Sequence, residues 1–137
     1  MKKALVLGCG LIGKTVALDL AEDFSVTVMD PFEKALASLA DRNYVKKIQK
    51  PADDAAVLAE AAKDKEIVRG ILPSHLEGAS KRQILEMGKN YVSPSGFLHS
   101  EGMDELAKKS GSVAVFDMGI APGMSNYLVA RGGAMVD

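Results

Sequence analysis

The 137-residue chain is 47% hydrophobic and 26% charged, which suffices for one domain with a single substantial core and is too short for two. Lys and Arg total 17 against 18 Asp and Glu, a formal charge of −1, so no global field draws the chain to nucleic acid or to an anionic membrane. The single cysteine, Cys9, excludes an intrachain disulfide and a cysteine-rich metal site; the lack of Trp removes stacking platforms for single-stranded nucleic acid; and without a signal peptide or long apolar run a cytoplasmic setting is expected.

The elements alternate. Ala4-Leu5-Val6-Leu7 is a short apolar run ending at Gly8, and beyond it Val16, Ala17, Leu20 and Phe24 recur at helical spacing, so a strand and then a helix are expected. Val26-Thr27-Val28-Met29 predicts a second strand, and Phe32, Ala35, Leu36 and Leu39 a second helix. A third strand is expected within Tyr44 to Gln49, and the alanine-rich stretch from Asp54 to Ala62 is the helix after it. Ile67 to Leu72 reads as a buried strand, and Ser74-His75-Leu76-Glu77 has the form of a capping box opening a helix that Glu77 closes. Tyr91-Val92 is a brief fifth strand, Met103, Leu106 and Ala107 mark a helix, and Val113 to Phe116 is a sixth strand. Ala121-Pro122-Gly123 then precedes a helix from Ser125 to Ala130, with Gly132-Gly133 as its expected C-terminal stop. Parallel strands require crossovers, and those connections are right-handed, so strands alternating with helices predict an α/β doubly wound parallel sheet with helices on both faces.

Gly8-Cys9-Gly10-Leu11-Ile12-Gly13 matches G-x-G-x-x-G between the first strand and the first helix. In that position Gly8 permits a tight turn, Gly10 admits a pyrophosphate close to the backbone, and Gly13 with Ala17 lets the helix pack on the sheet. The phosphates would meet the free N–H groups of the helix start along the Leu11-Ile12 turn. Asp30, 20 residues after Gly10, ends the second strand, where an acid accepts hydrogen bonds from the adenosine ribose. Asp30-Pro31-Phe32-Glu33 also reads as a helix start with Asp30 as N-cap, and both roles stay open. An acid here repels a 2′-phosphate, so NAD is expected in preference to NADP. Cys9 reads as a small apolar filler of the turn.

Three segments, Gly8 to Gly13, Ile71-Leu72-Pro73-Ser74 and above all Asp117-Met118-Gly119-Ile120-Ala121-Pro122-Gly123-Met124-Ser125-Asn126, give the chain a further identity. On them it resembles the saccharopine dehydrogenase-like oxidoreductases, most nearly lysine 6-dehydrogenase. The resemblance implies a dinucleotide-binding (Rossmann) domain over 1–137 from an NAD(P)-dependent enzyme acting at a C–N bond of an amino acid or polyamine. It also implies that residues 120–137 begin the connection to an absent substrate and dimerisation domain, so that the chain alone binds NAD(H) and turns over little. Where lysine 6-dehydrogenase-like members tend to carry an acid, this chain reads Tyr91-Val92-Ser93-Pro94-Ser95, a serine form similar to the saccharopine-cleaving branch, and the substrate stays open.

Pro73, Ser74, Ser93, Asp117 and Gly119 all follow strands and so line the carboxyl edge of the sheet, on the path of a nicotinamide. Asp117 and His75 are the candidates for proton handling, against the plainer readings of a loop-capping acid and a solvated first-turn histidine. His99 receives no role, and no ligand spacing supports a metal site. The rival readings are a non-catalytic NAD(H)-binding regulatory module and an S-adenosylmethionine-dependent methyltransferase. An uncovered crevice would expose apolar surface and favour a homodimer.

Overall fold

The computed structural model describes residues 1–39, 45–95 and 100–136. Six strands, β1 (Lys2–Leu7), β2 (Phe24–Met29), β3 (Val45–Ile48), β4 (Ile67–Gly70), β5 (Asn90–Val92) and β6 (Ala114–Val115), form one sheet in the order β3-β2-β1-β4-β5-β6. Every pairing is parallel. The chain builds outward from β1 to β3, crosses back, and builds outward again from β4 to β6, so the order reverses between β1 and β4. That reversal opens a crevice at the carboxyl ends of these two strands.

Among the described residues six helices connect or follow the strands: α1 (Leu11–Leu20), α2 (Glu33–Ala37), α3 (Ala55–Ala62), α4 (Ser74–Glu86), α5 (Met103–Ser110) and α6 (Met124–Gly133). Ala4 to Leu7 are wholly buried because β1 is covered on both faces. Successive side chains of a strand point to opposite faces. Leu5 and Leu7 therefore join Val68 and Tyr91 beneath Leu58, Ala62, Ile84, Leu85 and Met103 of α3, α4 and α5. Ala4 and Val6 join Val26, Val28 and Val45 beneath Ala17 of α1 and Leu36 of α2. Each fully buried Leu or Ile contributes about 1.5–3 kcal/mol.

The doubly wound expectation is met, and the departures are local. Phe24 belongs to β2 rather than α1, since turns from Asp19 to Glu22 and Leu20 to Asp23 end the helix and Phe24 pairs with Lys2. Asp30 is not the N-cap of α2: Phe32 holds that position, and Asp30 reaches Phe32 N through an Asx-type turn. The capping box at Ser74 does not form, because Ser74 is already helical behind Pro73 and Glu77 points inward. Asp54 does cap α3, accepting from the amides of Ala56 and Val57. β6 is shorter than expected because Asp117, at φ 58°, turns the chain out of the sheet. Gly132-Gly133 does not stop α6, whose C-cap is Ala134. Tyr44 of the expected third strand and His99 lie outside the described residues.

Candidate dinucleotide site

The turn after β1 is shaped by two glycines that no other residue could replace. Gly8 adopts φ 94°, and a Cβ there would fall on the Ile71 carbonyl oxygen. A Cβ on Gly13 would collide with the Gly8 carbonyl oxygen, so α1 starts hard against the turn it grows from. Gly10 differs: nothing lies within 4 Å of the Cβ position, and the backbone faces open space. It is also the N-cap of α1 and offers no side-chain cap, while the first turn contains no acid. The leading N–H groups of α1 are thus left for an outside acceptor, with the positive end of the helix dipole behind them. Leu11 and Ile12 stand 92% and 60% exposed beside this opening.

Asp30 is buried at the end of β2 and bound on both oxygens. Oδ2 accepts from the Cys9 amide at 2.7 Å, and Oδ1 accepts from the Phe32 amide at 2.8 Å. Gly8 N donates to the Met29 carbonyl at 2.8 Å, so two bonds clamp the glycine turn to β2. Each carboxylate oxygen keeps a further lone pair. Cys9 fills the space beneath the turn, with its thiol against the Ala35 carbonyl at 3.4 Å. Burial pushes that thiol up, and the Asp30 carboxylate adds to the shift, so Cys9 is a filler and no nucleophile.

On the far side of the crevice, Pro73, Ser74 and His75 are exposed at the start of α4. His75 borders a cavity of about 590 Å³ with Arg82 and Glu101, on the flank of α4 toward α5. Ser93 is fully buried just after β5. Its carbonyl accepts from Met118 N at 3.1 Å, which brings the Asp117 to Asn126 segment against β5. That segment folds back on itself: Gly119 accepts from Met124 N at 2.9 Å, Ile120 accepts from Ser125 N at 2.8 Å, and Asn126 Oδ1 accepts from Gly123 N at 3.1 Å. The loop leads into α6, with half-buried Asp117 at its root.

A polar cluster beneath this edge was not anticipated. The Glu77 carboxylate is buried, accepts from Ser95 Oγ at 2.6 Å, and lies 3.5 Å from the Tyr91 hydroxyl. Ser95 N donates to Ser93 Oγ at 3.1 Å. Lys81 is fully buried with its ammonium 4.6 Å from the Phe116 ring centroid. Burial lowers the Lys81 pKa, while Glu77 and Asp117 pull it back up. The available signal was Glu77 and Lys81 at i, i+4 in line with Ser80 and Ile84, a charged pair on the buried face of α4. Among the described residues no group of His, Cys, Asp and Glu could hold a metal, and no helix is long and apolar enough to cross a membrane.

Residues 4–115 match the family described as the saccharopine dehydrogenase NADP binding domain. Among solved structures, the fold is similar to apo saccharopine dehydrogenase (L-Glu forming) from Saccharomyces cerevisiae, at 23% identity and TM-score 0.83 over 96% of this chain and 30% of that one. It is similar to GenD2 from gentamicin A biosynthesis in complex with NAD, at 21% identity and TM-score 0.66 over 85% of this chain and 34% of that one. Biliverdin reductase from Synechocystis, in complex with biliverdin and NADP+, matches at 18% identity and TM-score 0.65 over 83% of this chain and 37% of that one. The chain thus spans about a third of the length of these proteins. With the glycine turn, the strand reversal and a family match across nearly all six strands, the chain belongs to the saccharopine dehydrogenase NADP-binding domain family.

Proposed function

We infer that this chain is the dinucleotide-binding part of an oxidoreductase acting at a C–N bond of an amino acid or amine, in the manner of saccharopine or lysine 6-dehydrogenases. The observation that carries the reading is the uncapped start of α1 behind Gly10, open to an anion and clamped to Asp30 through the Cys9 amide. The dinucleotide would supply hydride chemistry at the nicotinamide. The protein's share is to hold the pyrophosphate on the Leu11, Ile12 and Gly13 amides, the adenosine ribose near Asp30, and the nicotinamide half along Pro73, Ser74 and Gly119, while Ser93, expected on that path, is fully buried and supports Ser95 from beneath. Residues 120–137 lead, in this reading, toward a substrate domain, which is consistent with an α6 that buries none of its side chains.

The family description names NADP, and both NAD and NADP+ occur in the similar structures. For this chain NAD is the proposed cofactor. The carboxylate of Asp30 ends β2, and Pro31 and Phe32 after it bring no cation to a 2′-phosphate. Calorimetry with NADH and NADPH tests both levels of the reading. Tighter NADH binding is expected; tighter NADPH would remove the NAD preference, and no binding of either would remove the function. Little lysine- or saccharopine-dependent reduction of NAD by the 137 residues alone is expected, and robust turnover would overturn that expectation.

A further inference from the structure

The geometry points to Ser95 as an acceptor-only contact for the carboxamide N–H of a bound nicotinamide, held in that state by the buried carboxylate of Glu77. This rests on the dinucleotide reading above and adds a residue and a polarity to it.

A serine owns two donors, its amide N–H and its hydroxyl proton. In Ser95 both are turned inward. The amide donates to Ser93 Oγ at 3.1 Å, and the hydroxyl donates to Glu77 Oε2 at 2.6 Å, the short distance of a bond to a charged acceptor. A carboxylate can only accept, so the direction of the second bond is fixed. Ser93 Oγ lies 3.4 Å from Ser95 Oγ, and with the Ser95 proton committed to Glu77 any hydrogen there comes from Ser93. What Ser95 has left to offer a ligand is therefore lone pairs alone.

Its position gives those lone pairs a partner. Glu77 and Ser93 are buried, but Ser95 is only half-buried, three residues past the end of β5. Asp30 and the adenosine side of the crevice lie over β2, so the other half of the dinucleotide runs toward β4 and β5. The ribose hydroxyls of that half can donate or accept; the carboxamide NH2 can only donate. An acceptor-only oxygen can take a hydrogen from either, and the carboxamide NH2, which has no accepting mode to fall back on, is the group whose orientation it fixes.

The test compares NADH, ADP-ribose and the 3-acetylpyridine analogue of NAD, which keeps the ring carbonyl and lacks the amide N–H. Ser95→Ala should weaken NADH by about three- to tenfold, the net value of one hydrogen bond, and leave the other two ligands within about twofold. Glu77→Leu should reproduce that pattern by releasing the Ser95 proton. Glu77→Gln, whose carbonyl oxygen can still accept, should retain most of the NADH affinity. Equal losses for NADH and ADP-ribose, or no loss in Ser95→Ala, would overturn the assignment; if Glu77→Leu fails to fold, Ser95→Ala alone decides. Failure of all three ligands to bind the unaltered chain would overturn the dinucleotide reading and this inference with it, whereas tight binding that ignores Ser95 would overturn this inference only.

Discussion

The Cys9 amide donates to Asp30 Oδ2 at 2.7 Å, so the glycine turn and the end of β2 are one rigid unit. The other oxygen of the same carboxylate is taken by the Phe32 amide. Asp30→Asn keeps the size of the side chain but offers an NH2 to one of two N–H donors, leaving a clash and an unsatisfied amide. A loss of about 1–3 kcal/mol is expected in urea unfolding, the cost of an unmade bond at a buried donor. NADH affinity should fall beyond that, because the amides facing the pyrophosphate lose their anchor. Unchanged stability would show that the clamp is weaker than its distances indicate.

Two glycines of the turn, Gly13 and Gly10, should separate by experiment. Gly13→Ala places a methyl group on the Gly8 carbonyl, a backbone group that cannot swing aside as a flexible side chain would. A destabilisation of about 1–3 kcal/mol or more is expected from overpacking. Gly10→Ala places its methyl in open space, so the melting temperature should stay within about 2 °C, while dinucleotide affinity drops because the methyl occupies the pyrophosphate's approach. Equal stability losses in the two variants would contradict this division of roles.

Cys9 offers a check on the packing beneath the turn. Its thiol is buried and held up by that burial and by Asp30, so little thiolate forms near pH 8. Ellman's reagent should label it far more slowly in the folded chain than in urea. Rapid labelling of the folded chain would mean that the turn opens readily.

The fold and one side of the crevice were legible because each rests on local chemistry. Strands such as Ala4 to Leu7 announce themselves by unbroken apolar runs, and the glycine turn by its place between a strand and a helix. Asp30 was visible as an acid at a strand end, open to a ribose or a helix-cap role, but its two bonds to the Cys9 and Phe32 amides were not legible from spacing. Glu77 illustrates the harder case. Its S-x-x-E setting predicts an N-terminal cap, yet the helix starts at Ser74 and turns Glu77 toward Tyr91 and Ser95, residues 14 and 18 positions away. A local motif cannot report a partner delivered by another strand.

That same cluster makes the alkaline limit of stability predictable. Tyr91 is fully buried, its hydroxyl occupies the space where Gly70 lacks a side chain, and its near neighbour is the Glu77 carboxylate. Burial first and Glu77 second push the phenol far above its ordinary value. The folded state thus holds the proton that the unfolded state releases near pH 10. A raised pKa gives stability that is complete below the unfolded value and lost as pH rises toward the folded one, so the loss begins near pH 10 at about 1.4 kcal/mol per pH unit. Lys81, with its pKa lowered by burial, contributes with the opposite sign, because raising the pH relieves the cost of its buried charge. Tyr91→Phe leaves Lys81 in place and removes only the phenol. Urea unfolding from pH 8 to pH 11.5 should therefore show the unaltered chain losing stability more steeply than Tyr91→Phe above about pH 10, with near-parallel curves below it. Parallel curves throughout, or tyrosinate absorbance from all three tyrosines before unfolding, would place Tyr91 in contact with water and dismantle the buried cluster on which Ser95 depends.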